Sequence, residues 1–197
     1  MGKAIANKQF MGRYSIIETY IAQPVANKVI YVVLSAARKV AVMPNFVDRL
    51  KQMGAKVYVF ATPNTKPFIG KLSTSDKLLL GTVSFEASGN PISTEKEDLL
   101  LFMPCTFNSV IKLSSGLADN YAMGLAQSAI ARHQPVIVVP AYHEFWDHPQ
   151  NQLAIDKLKS WGIGVIYPDI TPMKVTMMDP DKVLDVVGSV FSAFVAV

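Results

Sequence analysis

The 197-residue chain has a single cysteine, Cys105, so no internal disulfide framework can hold the fold, and a reducing, cytoplasmic setting is expected. Charge is sparse at 17% of residues, with a net of only +4. Lysines and arginines are scattered, with pairs such as Arg38-Lys39 but no basic stripe interleaved with aromatics, which sets a nucleic-acid partner aside. No apolar run approaches the roughly 20 residues a membrane helix needs. Residues 1–28 lack the continuous apolar region of a secretory signal and read as an N-terminal helical extension ahead of one domain over 29–197. The glycines of a GxGxxG dinucleotide loop, a P-loop and a Gly-x-Ser-x-Gly elbow are all missing. His143, Glu144, Asp147 and His148 lie close together, but His-Glu-x4-His does not put two imidazoles on one helix face, and Pro149 interrupts any helix there. A metal site is therefore not expected.

Apolar residues are abundant, at 50% with mean hydropathy +0.26, more than a small monomer readily hides, so an oligomer is expected. Val29–Leu34 and Lys56–Ala61 are β-branched and aliphatic runs, the pattern of strands buried on both faces. Between them Val40, Met43, Val47 and Leu50 recur at helical spacing, and Gly54 stands where a helix C-cap needs a left-handed residue. Further strands are predicted at 99–103, 135–139 and 164–167, with another at 78–85. Helices are predicted at 118–132, 151–161 (carrying Leu153, Leu158 and Trp161 as a core or interface stripe) and 180–194, and loops at 87–97 and 169–178. Strands alternating with helices imply an α/β fold, a doubly wound, mainly parallel sheet with helices on both faces.

Ligands of such sheets bind beyond the carboxyl ends of the strands. Those ends are Ser35-Ala36-Ala37-Arg38, Thr62-Pro63-Asn64-Thr65, Pro104-Cys105-Thr106-Phe107-Asn108-Ser109 and Pro140-Ala141-Tyr142-His143, three of them rich in hydroxyls and amides. They make a pocket for a polar small molecule. A phosphate could rest on backbone amides at the helix start beside Ser35 and Arg38, although Arg38-Lys39 also fits a solvated charge pair. Cys105 follows a buried strand and reads as a small apolar residue rather than a nucleophile. Trp146 fits either a ligand or subunit contact or plain packing.

Two segments go beyond generic α/β. Pro104-Cys105-Thr106-Phe107-Asn108-Ser109, then Lys112 and Gly116-Leu117-Ala118-Asp119-Asn120, resembles the Pro-x-Ser/Thr-Ala-Asn-Thr, lysine and Gly-x-Ala-Asp pattern of the flavin-containing cysteine decarboxylases. Pro140-Ala141-Tyr142-His143 through Trp146 and Pro149 resembles that family's Pro-Ala-Met-Asn-x-x-Met-Trp-x-x-Pro, and Pro44 to Leu50 gives a weaker match. The resemblance spans residues 29–187. It implies a Rossmann-like flavoprotein fold that binds FMN at a subunit interface of a homotrimer or larger assembly, acting on a small-molecule or peptide substrate with a carboxylate. By position, Ser35, Ala36 and Ala37 with Thr62, Asn64 and Thr65 would take the phosphate and ribityl chain. Thr106, Phe107, Asn108 and Ser109 would lie against the flavin, and Ala141 would touch the isoalloxazine.

The departures bear on chemistry. The family's catalytic histidine falls at Asn90, followed by Pro91, and no histidine precedes Pro104. Its carboxylate-gripping asparagine is His143, and 169–178 has no cysteine where the phosphopantothenoylcysteine enzymes carry one. Asparagine cannot act as a general base, so altered chemistry is expected, with Asn90 and His143 as the catalytic candidates. A non-catalytic FMN-binding regulator is the alternative. A flavin prenyltransferase-like transferase is a further one, against which Pro140-Ala141-Tyr142-His143 departs from that group's Pro-Arg-Glu-x-Pro loop.

Overall fold

The structure is a computed structural model that describes residues 25–86, 95–171 and 174–192. The helical extension expected over 1–28 and the loop carrying Asn90 fall largely outside those residues. Val25 is fully buried against the main domain, so packing reaches upstream of residue 29.

Six parallel strands form the central sheet: β1 Val29–Leu34, β2 Lys56–Ala61, β3 Val83–Ser84, β4 Leu99–Cys105, β5 Val136–Pro140 and β6 Gly164–Val165. Their spatial order is β3-β2-β1-β4-β5-β6, with crossovers between. The expected doubly wound α/β sheet is therefore present. The strand order reverses between β1 and β4, which pair in parallel from Ile30 to Val33.

Side-chain alternation sorts each buried strand onto two cores. Ile30, Val32 and Leu34 of β1, with Leu99, Leu101 and Met103 of β4, face one side. There they meet α1 (Met43–Gln52) through Met43, Phe46, Val47 and Leu50, and α7 (Pro180–Ser192) through Val183, Leu184, Val187 and Phe191. Tyr31 and Val33, with Leu100 and Phe102, face the other side against α4 (Phe107–Ser114), α5 (Tyr121–Ala131) and α6 (Pro149–Ser160). The remaining helices, α2 (Lys66–Gly70) and α3 (Thr74–Leu80), lie between β2 and β3 in the chain. Gly54 closes α1 at φ 87°, the conformation expected of its C-terminal turn.

Several boundaries differ from the sequence reading, each for a local reason. The predicted strand at 78–85 begins as the last turn of α3, which Ser73 caps by accepting the Asp76 N–H at 3.1 Å, and only Val83–Ser84 pairs with β2. Helix α5 starts at Tyr121 rather than 118, where the Asn120 side chain accepts the Met123 N–H at 3.1 Å. Pro149 does not interrupt a helix but opens α6, a position where its missing N–H costs nothing. Leu153 and Trp161 are not core: they are 61% and 42% exposed, whereas Asn151, Ala154, Ile155 and Leu158 are buried. Leu153 and Leu158 stand about 140° apart around the helix, so they cannot share a face. Finally, 169–178 is not simply a loop, since β7 Asp169–Thr171 and β8 Lys174–Thr176 form an antiparallel hairpin.

Candidate functional site

The loops after β1, β2, β4 and β5 converge at the switch point between β1 and β4, the place where doubly wound sheets open a crevice. Two adjoining cavities lie there, sharing Ala36, Asn64, Thr106 and Asn108. The smaller, about 200 Å³, is polar and adds Thr62, Ser109, Lys112, Asp119 and Asn120. The larger, about 540 Å³, adds Ala37, Arg38, Lys39, Phe107, Ala141 and the rings of Tyr142 and Phe145. Most residues singled out in the sequence thus meet at one place.

Ser35 and Thr65 are placed differently. Both are buried and use their hydroxyls inside the protein. Ser35 Oγ donates to the Pro104 carbonyl at 2.8 Å and accepts the Thr106 N–H at 2.8 Å, so it ties the end of β1 to the end of β4. Thr65 Oγ1 donates to the Leu34 carbonyl at 3.3 Å and meets Thr62 Oγ1 at 2.9 Å, which ties the β2 loop to β1. Thr106 Oγ1 and Ser109 Oγ lie 3.1 Å apart at the start of α4. No side chain caps that helix, and its first-turn N–H groups belong to residues 107–109 at the cavity rim.

Lys112 and Asp119 pair at 2.6 Å on the polar cavity, with the Asn120 amide also on Asp119. The Lys112 hydrogen bond holds the Asp119 carboxyl below the usual carboxylate range. The sequence motif contains Lys112, Asp119 and Asn120 without marking them as site residues; it is the fold that brings Lys112 of α4 to Asp119 and Asn120 on the turn before α5.

The β5 loop is fixed from behind. Tyr142 donates its phenol to Asn151 Oδ1, and Asn151, itself buried, donates to the Trp146 carbonyl at 2.8 Å. Burial, and secondarily the nearby Cys105 thiol, pushes the Tyr142 phenol above its ordinary pKa, so it stays a donor. Trp146 packs at the edge of the second core against Tyr142 and Tyr167, which favours packing over an exposed indole. Phe107 and Phe145 stack with centroids 4.9 Å apart, and Phe145 is 46% exposed. Nothing in the sequence marked Phe145 beyond its being apolar in a polar loop. Cys105 is buried, and burial raises its thiol well above the usual pKa, which fits the packing role expected of it.

His143 is exposed and lines neither cavity; its Nδ1 accepts the Val175 N–H of the hairpin at 3.0 Å. Asn90 lies outside the described residues. Among the described residues no group of acidic, histidine or cysteine side chains could hold a metal ion.

The chain is 33% identical over 99 residues to the coenzyme A biosynthesis bifunctional protein CoaBC of Thermococcus kodakarensis, a match covering 42% of the chain and 24% of that protein. It therefore spans only about a quarter of the length of that relative. It is 23% identical over 182 residues to the flavin prenyltransferase UbiX of Chlamydia trachomatis, covering 85% of the chain and 91% of UbiX. The fold superposes on the FMN binding protein AtHal3 with TM-score 0.72 at 19% identity, covering 85% of this chain and 98% of that one. A PPC decarboxylase mutant complexed with pantothenoylaminoethenethiol gives TM-score 0.71 at 20% identity, with 84% and 99% covered. With the Flavoprotein family model matching residues 21–192, the whole of the described structure and every cavity residue above, this chain belongs to the Flavoprotein family.

Proposed function

We propose that the chain binds FMN in the two cavities at the switch point, and that it handles a small molecule or peptide bearing a carboxylate by chemistry that differs from cysteine decarboxylation. The observation that carries the reading is the shape and lining of the crevice. A cavity of about 540 Å³ lies within the roughly 300–1,000 Å³ typical of small-molecule sites. Its walls suit FMN by type: alanines 36, 37 and 141 and flat rings for the isoalloxazine, hydroxyls and amides of Thr62, Asn64, Thr106, Asn108 and Ser109 for the ribityl chain. The first turn of α4 with Arg38 and Lys39 suits the phosphate. Ser35 and Thr65 then serve from behind, holding the loops that make these contacts. Bound FMN would supply a two-electron acceptor beside the substrate.

The residues for proton transfer set the limit. Asparagine at position 90 neither accepts nor releases a proton at neutral pH, and loss of a general acid–base group typically costs a factor of about 10²–10⁴. A decarboxylase working on phosphopantothenoylcysteine is therefore not expected. The match to UbiX favours a transferase as the second reading, while the Pro140-Ala141-Tyr142-His143 loop lacks that group's arginine and glutamate. Exposed Leu117, Phe145 and Leu153 support self-association, and a cytoplasmic homotrimer is part of the proposal.

Heat-released cofactor from the purified protein should be FMN at about one per chain by mass spectrometry. FAD, or no flavin after incubation with FMN, would overturn the reading. With FMN bound, the wild type should release no carbon dioxide from phosphopantothenoylcysteine, and light scattering should give a trimer.

A further inference from the structure

The β7–β8 hairpin is three residues per strand, and its Ile170 is 57% exposed. A two-stranded hairpin on its own is marginal in water, so its position depends on what ties it to the body. One tie is ionic, Lys182 of α7 to Asp169 at 3.8 Å, between half-exposed groups that contribute little. Another is the Val175 N–H donating to His143 Nδ1 at 3.0 Å, from the hairpin to the loop that follows β5. An imidazole nitrogen that accepts a hydrogen bond carries no proton, so this contact requires neutral His143 with its proton on Nε2. In that state the free nitrogen of the ring is a donor.

We infer that His143 is a positioning residue whose neutral, Nε2-protonated imidazole latches the hairpin onto the strand-end loops. Accepting a proton and holding the hairpin are then mutually exclusive for this side chain. As a base, Nδ1 must first let Val175 go; as a latch, Nδ1 is occupied as an acceptor and the ring has only its Nε2–H to offer, as a donor. The histidine that stands where relatives of this pattern have asparagine is thereby a hydrogen-bond donor in the closed state, as an asparagine amide is.

The sign of the pH dependence follows. Imidazoles as a class change charge between about pH 5 and 8. Protonation places an N–H on Nδ1 facing the Val175 N–H, so the latch holds at higher pH and releases as pH falls. The charged groups on the two elements the latch joins are Glu144, Asp147 and His148 on its own loop and Asp169 and Lys174 on the hairpin; the direction stands whatever their balance, since a proton on Nδ1 removes the acceptor.

The test is amide exchange at Val175, read as a protection factor at pH 8 and pH 5 on the purified full chain. One net hydrogen bond corresponds to a two- to tenfold change in the opening equilibrium. Wild type should lose roughly that much protection on going to pH 5. His143→Gln, whose amide oxygen accepts a hydrogen bond without titrating, should keep its protection at both pH values. His143→Phe should be weakly protected at both. Nitrogen-15 shifts should show His143 Nδ1 unprotonated at pH 8. Equal wild-type protection at the two pH values, or wild-type protection in His143→Phe, would overturn the inference. If His143→Phe does not fold by circular dichroism, the contrast between wild type and His143→Gln decides alone. None of these readouts requires flavin, so the latch and the cofactor reading stand or fall separately.

Discussion

Ser35 is where the sequence and the structure assign different work to one residue, and Ser35→Ala separates the two. As a phosphate ligand, the serine should matter for flavin affinity and little for the apoprotein. In the structure it is 1% exposed and its Oγ makes two hydrogen bonds of 2.8 Å, one in each direction. Alanine leaves the part-buried Thr106 N–H without its acceptor, which costs about 1–3 kcal/mol. The lost donation to Pro104 costs less, about 1 kcal/mol, because that carbonyl keeps the Ser35 N–H at 3.1 Å. The sum is about 2–4 kcal/mol, a sizeable part of the roughly 5–15 kcal/mol that holds a domain together. In a chain of this size each 1 kcal/mol moves the midpoint by about 2–4 °C, so Tm of the flavin-free protein should fall by roughly 4–16 °C. Urea unfolding of apoprotein, with the m-value checked against wild type, is the assay. Flavin affinity should fall too, since Thr106 sits on both cavities, but as a consequence of the loosened junction. Unchanged apoprotein stability with flavin affinity lost would refute the strut and restore Ser35 as a direct ligand.

Two further outcomes follow from the site. Asp119 is paired with Lys112 and its folded pKa is depressed, so the pair's stabilisation is present above the unfolded value of about 3.9 and is lost as pH falls through the folded one. Asp119→Asn should therefore lower the urea midpoint at pH 7, and the gap to wild type should close below pH 4. Cys105 is fully buried with its thiol pKa raised, so a thiol reagent should leave the native protein unmodified at pH 7.5 and label one site per chain in urea; rapid labelling of native protein would contradict its placement.

The parts of this fold legible in the sequence are those where one residue type has one use. A strand buried on both faces must be a continuous apolar run, and β1, β4 and β5 read as such because six, seven and five of their residues are buried. The two-residue strand β3 and the hairpin carry no such pattern, and the strand predicted at 164–167 is present only as the two residues of β6. Their pairing depends on which neighbour the fold brings alongside, as when Ile137 and Val138 fix Gly164 and Val165 at the sheet's edge. The strand-end loops were found because their position follows from the strands. Their internal division of labour was not, since a serine suits a phosphate and a strut equally and only geometry decides between them.

That division suggests how the site tolerates change. An inner set, Ser35, Thr65, Tyr142 and Asn151, joins the loops to one another and lines the cavities only through the Tyr142 ring. An outer set, Asn64, Thr106, Asn108 and Lys112, faces the crevice. A preorganised site needs its supporting shell more than any one contact, because a misplaced loop spoils every contact at once. Here the supporting shell is complete: no buried side-chain polar atom among the described residues lacks a partner. Among the described residues, the departure from the cysteine decarboxylase pattern at His143 falls outside that shell and lines neither cavity. Replacing a proton-transfer residue leaves such a scaffold able to bind its ligand and removes only the step that residue served. On the proposed function, binding framework and reaction are therefore separable: substitutions in either set should weaken flavin binding, and a substitution of His143, which lines neither cavity, should leave it intact.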